Sequence, residues 1–194
     1  MPRPRTVPDD HVLDGVERVL HEKGPHELTL ADVARATGLA PATLVQRFGS
    51  KRGLIVAFAS RAAAQSGQAF ERGAPGLGTL RQTLCTLAAA LGDRRRMVNG
   101  IALLLEDVRD PELGSAAREQ AEALEGEIDR QLRAAVAKGE LSVDDPRDLA
   151  RTVYTAYNGA LIGWALRGGG TLRSAVRRAV DAVLRPYLAS GRPR

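Results

Sequence analysis

The chain has 194 residues, 44% of them hydrophobic and 26% charged, proportions that fit an ordinary soluble globular protein. That length can bury a real core in one large domain or two small ones. A net charge of +5 admits nucleic acid as a partner without establishing it, no apolar run approaches a bilayer span, and the single Cys85 excludes an intrachain disulfide.

The N-terminus MPRPRTVPDD has no apolar stretch behind its arginines, so it does not read as a signal peptide. The expected location is the cytoplasm, a reducing compartment that suits one free cysteine. Arg3 and Arg5 either enter a minor groove, as basic arms can, or belong to a free tail. Strand-like alternation persists nowhere, whereas helical periodicity recurs almost end to end. A first helix is predicted over Asp9–Lys23, with Val12, Val16, Val19 and Leu20 on one face, and Gly24 and Pro25 stop it. Thr29 is a good N-cap for a second helix, with Asp32 three residues on in a capping-box-like position. Leu30, Val33 and Ala34 form its apolar face, and Gly38 supplies a left-handed end. Pro41 suits the first turn of a third helix, which carries Leu44 and Phe48 inward. Ser50 caps a fourth with Leu54, Ile55 and Phe58.

GAPGLG, residues 73–78, reads as a break. Helices are predicted near Thr79–Leu91, Arg94–Val108 and Pro111–Lys138, the last ended by Gly139. Asp145 and Pro146 open another that runs to Arg167. Thr171 caps the final helix, whose stripe is Leu172, Val176, Val180, Val183, Leu184, Tyr187 and Leu188. The expected fold is all-α, with an N-terminal three-helix domain over residues 6–66 and a C-terminal helical domain over residues 74–190.

Two short helices joined by a tight glycine turn, over residues 29–48, have helix-turn-helix geometry. The second of the pair enters the major groove, so its first residues must be small, as Pro41, Ala42 and Thr43 are. Its outer face must avoid acids. Between Val33 and Arg52 the charged residues are Arg35, Arg47, Lys51 and Arg52, all basic. Gln46 can pair with adenine, and Arg47 can reach guanine or phosphate. Lys51 and the amides opening the fourth helix can hold a phosphate. Thr29 and Arg35 sit where the preceding helix meets the DNA backbone.

This region resembles the TetR family of transcriptional regulators. The resemblance is carried by Thr29, Val33-Ala34, Gly38-Leu39-Ala40, Thr43-Leu44-Val45 and Phe48-Gly49-Ser50-Lys51, and covers roughly residues 9 to 60. AAVAKGEL before the penultimate helix extends it more weakly. The family usually has a phosphate-touching tyrosine where Val45 stands and often a serine cap where Ala40 stands. Gln46 or Arg47 can replace those contacts. The resemblance implies a ligand-responsive regulator, a repressor in most relatives, that binds a palindromic operator as a homodimer and is released by a small molecule. It implies no other cofactor.

The residues support the dimer independently. In the helix up to Arg167, Leu149, Val153, Tyr157, Leu161 and Trp164 make one apolar face, and Ala156, Gly159, Ala160 and Gly163 a second face of small residues. A helix apolar on both sides is buried on both sides, against a second copy or within the monomer. Candidate effector-lining residues are Met97, Ile101, Leu105, Leu124, Ile128, Tyr154, Asn158 and Trp164. Asn158 needs a polar partner among apolar neighbours, either a ligand or a backbone carbonyl.

The rival readings are an enzyme and a helical protein-interaction module without sequence-specific DNA binding. His11 and His21 lie ten residues apart, but no carboxylate or cysteine set completes a metal site, so none is expected. ERGAPGLG lacks a P-loop lysine and a preceding strand. Cys85, in TLCTLAAAL, reads as a buried small hydrophobe.

Overall fold

The computed structural model describes residues 7–109 and 111–189, and their side chains except those of 104–109, 111–113 and 116. Among the described residues there are nine α-helices: α1 (Asp9–Lys23), α2 (Leu30–Thr37), α3 (Pro41–Phe48), α4 (Lys51–Phe70), α5 (Leu77–Ala90), α6 (Arg94–Arg109), α7 (Pro111–Ala137), α8 (Pro146–Arg167) and α9 (Leu172–Leu184). The chain divides into two compact units, Met1–Ala62 with Val98–Ala117, and Ala63–Met97 with Arg118–Arg194.

The first unit is built around α1. Its Val12, Leu13, Val16, Val19 and Leu20 meet Leu28, Val33 and Ala34 around α2, Leu44 of α3 and Leu54 of α4 in one buried cluster. These positions recur at three- and four-residue steps, the spacing that aligns side chains along one helical face. Gly15 of α1 faces Thr37 and Ala36 of α2. A Cβ there would lie 2.4 Å from Thr37 Cγ2, so a side chain at this position would require the buried Thr37 or its helix to shift. From α6, Asn99 donates to the Leu20 and His21 carbonyls at 3.2 and 3.0 Å and so closes the end of α1.

In the second unit α9 packs against both α5 and α8. Its core includes Leu80, Leu84, Ile128, Leu132, Val153, Tyr157, Val176, Val180 and Leu184. Helix α5 begins at Leu77, two residues before the sequence-based start. The reason is long-range. The Gly76 amide donates to Gln131 Oε1 at 2.9 Å and the Leu77 amide to Glu140 Oε2 at 2.9 Å, so acceptors 55 and 63 residues away satisfy the first turn. Helix α8 opens as expected, with the Asp145 carboxylate accepting from the Arg147 and Asp148 amides and Pro146 in the first position.

The final stripe departs from expectation. Helix α9 stops at Leu184 and tightens into a 3-10 turn over Arg185–Tyr187. Pro186 has no amide to donate and its ring crowds the carbonyl four residues back. Tyr187 and Leu188 therefore leave the buried face and are 37% and 41% exposed. The backbone there pairs with the segment after α7: the Ser142 amide donates to the Tyr187 carbonyl at 2.9 Å, and the Ala189 amide to the Glu140 carbonyl at 3.2 Å.

Candidate nucleic-acid interface

Helix α2 starts at a capping interaction. The Thr29 hydroxyl accepts from the Asp32 amide at 3.2 Å and donates to Asp32 Oδ2 at 2.7 Å. Asp32 is buried and also receives Lys23 Nζ at 2.7 Å and Arg35 at 3.0 Å. Hydrogen bonds from Lys23 and Thr29 outweigh its desolvation and hold the carboxyl well below the usual carboxylate range. At the other end Gly38 adopts φ 71°, a left-handed conformation, and returns its amide to the Ala34 carbonyl. The chain turns there in three residues.

Helix α3 has no side-chain cap at Ala40 and begins with Pro41. Leu44 is wholly buried and Phe48 half-buried, which fixes the roll of the helix on the core. Pro41, Ala42, Val45 and Gln46 face solvent, and Thr43 is half-buried. The helix contains no acid. An uncharged, low-relief helix face flanked by basic residues suits the floor of a major groove.

The two basic residues that follow are anchored to α1 and its surroundings. Arg47 donates to the Val7 carbonyl at 2.7 Å, pairs with the Asp9 carboxylate and lies over the Phe48 ring at 5.7 Å. Its side chain is only 21% exposed. Lys51 Nζ donates to the Pro25 carbonyl at 3.1 Å. Ser50 Oγ accepts from the Gly53 amide at 3.0 Å and caps α4.

Of the sequence-based candidates, Thr29, Arg35, Pro41, Ala42 and Gln46 are therefore exposed, while Thr43, Arg47 and Lys51 are half-buried. The sequence does not announce the Asp9 and Val7 anchors of Arg47, which lie 38 and 40 residues away. Arg3 and Arg5 lie outside the described residues.

The effector candidates are divided. Met97, Leu124, Ile128, Tyr154, Asn158 and Trp164 belong to the second unit and Ile101 to the first, while the side chain of Leu105 lies outside those described. Asn158 donates to the Tyr154 carbonyl at 3.0 Å within α8. Burial pushes the Tyr154 and Tyr157 hydroxyls up, so both stay neutral at physiological pH. Trp164 Nε1 donates to the Gly170 carbonyl at 3.2 Å, and its ring lines an open groove of about 330 Å³ with Arg167 and Arg178. Cys85 is buried as expected, and burial raises its thiol pKa. Among the described residues no cluster of His, Cys, Asp or Glu could hold a metal, and no helix is long and apolar enough to cross a membrane.

A capped eight-residue helix, a left-handed glycine turn and a second eight-residue helix on one shared core define a helix-turn-helix protein, a class that recognises DNA. The chain belongs to the tetR family of bacterial regulatory proteins. That family's model matches residues 12–58, and the model of the tetracyclin repressor-like C-terminal domain matches residues 76–186. No curated protein matches the sequence. Among solved structures, SmeT, the repressor of the Stenotrophomonas maltophilia multidrug efflux pump SmeDEF, is similar at 22% identity and a TM-score of 0.75, over 96% of this chain and 93% of that one. A TetR transcription regulator from Haloarcula marismortui matches with a TM-score of 0.81 at 14% identity, over 93% and 97% of the two chains. The transcriptional regulator FadR from Bacillus subtilis, in complex with stearoyl-CoA, matches with a TM-score of 0.73 at 17% identity, over 90% and 97%.

Proposed function

We propose that the protein is a ligand-responsive transcriptional repressor that binds a palindromic operator as a homodimer, in the cytoplasm, without enzymatic activity. The observation that carries this reading is the outer side of α3. Pro41, Ala42, Val45 and Gln46 stand exposed with no acid among them, on a helix whose roll Leu44 fixes. Thr29, Arg35 and Lys51 lie around it as phosphate contacts, and Arg47 reaches guanine or phosphate. The domain over residues 6–66 carries this interface. The domain over residues 74–190 carries dimerisation and effector binding.

The dimer reading draws on α8. Ile162 and Leu166 are 43% and 72% exposed, and Gly159 beside them is exposed too. Large apolar side chains next to small residues suit close helix–helix contact with a second copy. Two recognition helices then meet half-sites about one helical turn apart, roughly 34–36 Å. Within the second unit, the candidates for effector binding are Met97, Leu124, Ile128, Tyr154, Asn158 and Trp164. A small molecule that favours a different spacing of the recognition helices weakens DNA binding by the same factor that DNA weakens its own. Of the neighbours, SmeT is described in complex with triclosan and FadR in complex with stearoyl-CoA, which supports an apolar or amphipathic effector.

The test is selection of random duplexes by the purified protein at near-physiological salt. An enriched palindrome, bound with an affinity that falls linearly in log salt, is the expected result. Retention without an enriched sequence sinks the operator reading in favour of a helical interaction module.

A further inference from the structure

We propose that Val45 is a base-reading residue that packs against the C5-methyl group of a thymine in the major groove. The inference deepens the operator reading above and rests on it. Val45 follows Pro41 by four residues and Ala42 by three, so the three share one side of α3, and all are exposed. Gln46 adjoins them and is exposed as well. Leu44, with no exposed surface, fixes which side faces out. A single exposed valine is unremarkable on most surfaces. This one differs in its company. Pro41 and Ala42 are small, so the Val45 isopropyl group, 45% exposed, is the larger branched apolar group among the three on the face that would enter the groove.

The chemistry then selects the partner. In the major groove thymine alone presents a methyl group, while guanine, cytosine and adenine present donors and acceptors. An isopropyl group has no hydrogen bond to offer. Set against those other edges it would strip water from them without replacing it, which is unfavourable. Set against a methyl group it removes two apolar surfaces from water together. Valine in a helix also holds essentially one side-chain rotamer, so little freedom is lost on contact.

The experiment starts from the duplex enriched in the selection above. Each thymine of a half-site is replaced in turn by deoxyuridine, which removes the methyl group and leaves every hydrogen bond intact. Binding is measured for the full-length protein and for Val45→Ala, after circular dichroism confirms that the variant is folded. Burial of one methyl-sized group predicts a loss of about four-fold per half-site at one thymine position. In Val45→Ala the thymine duplex should bind more weakly and the two duplexes should become equal. The inference is overturned if no thymine shows the loss. It is also overturned if the loss persists in Val45→Ala, since another side chain then reads the methyl group. Failure to enrich any sequence would overturn the operator reading and this inference together, so the two failures are distinguishable.

Discussion

Lys23 Nζ lies 2.7 Å from Asp32 Oδ1 and joins the last turn of α1 to the first turn of α2. The same carboxylate receives the Thr29 hydroxyl, at 2.7 Å, and Arg35. One buried acid thus ties the capped start of α2 to the last turn of α1. Its depressed pKa makes that contribution dependent on pH. A carboxyl whose folded pKa lies below its unfolded value, about 3.9, stabilises the fold above that value and loses the contribution as pH falls through the folded pKa. Thermal unfolding should therefore show a melting temperature that drops below about pH 4. Asp32→Asn should lower the melting temperature at pH 7 by several degrees and flatten the acid limb of the profile. An unchanged acid limb in the variant would remove Asp32 as its cause.

Leu44 ties recognition to stability. It has no exposed surface and is the fully buried side chain of α3 in the first unit's core. Leu44→Ala should cost about 2–5 kcal/mol, because the lost transfer energy adds to an unfilled cavity. Urea unfolding followed by circular dichroism measures this directly. A cost well under 1 kcal/mol would mean that α3 is not seated as described.

Arg47 is held on the protein before any DNA arrives, by the Val7 carbonyl and the Asp9 carboxylate. If that anchoring positions α3, Arg47→Ala and Asp9→Ala should each weaken DNA binding, and the double variant should lose less than the sum of the two. Loss on every sequence alike would make Arg47 a positioning or phosphate residue. Relaxed specificity at one base pair would make it a base reader. Lys51→Ala should weaken binding on all sequences and flatten the salt dependence by about one unit of slope. Strict additivity of Arg47→Ala and Asp9→Ala would refute the anchoring account.

Much of this was legible in the sequence because the signals are local. The Thr29 cap, the Gly38 turn, the Asp145-Pro146 start of α8 and the 3.6-residue periodicity of α1 each depend on residues within one or two turns. What the sequence hid depends on distance along the chain. Gln131 and Glu140 start α5 two residues early, Asn99 closes α1, and Asp9 holds Arg47. No periodicity encodes such partners. Val45 was visible as a departure from the family pattern, yet only the seating of Leu44 shows that the valine faces outward.

Cys85 is a buried small hydrophobe in α5, with Sγ 3.8 Å from the Arg173 carbonyl. Burial raises its pKa, and the thiolate is the reactive form. Alkylation of the native protein at pH 8 should therefore be slow, and fast once urea unfolds the chain. Cys85→Ser should destabilise by about 1–3 kcal/mol, because a hydroxyl costs more than a thiol to take out of water and the Arg173 carbonyl, 3.8 Å from Sγ, lies beyond the ordinary reach of an oxygen donor. Rapid labelling of the native protein would place the thiol at the surface instead.

The last expectation concerns assembly. Ile162 and Leu166 are four residues apart on α8 and exposed, with Gly159 three residues before Ile162. In a homodimer they would lie against the partner copy. Replacing both by glutamate puts like charges face to face across a two-fold interface and buries them unpaired, which is strongly unfavourable. Light scattering at micromolar concentration should give twice the chain mass of 20.7 kDa for the native protein and a single chain mass for the double variant. Because both positions are exposed within one chain, the variant should keep its helical circular dichroism. It should also lose operator affinity, since the entropy of aligning two half-site contacts is then met by each monomer separately. A native protein that is monomeric at that concentration would sink the dimer reading, and a dimeric double variant would move the interface elsewhere.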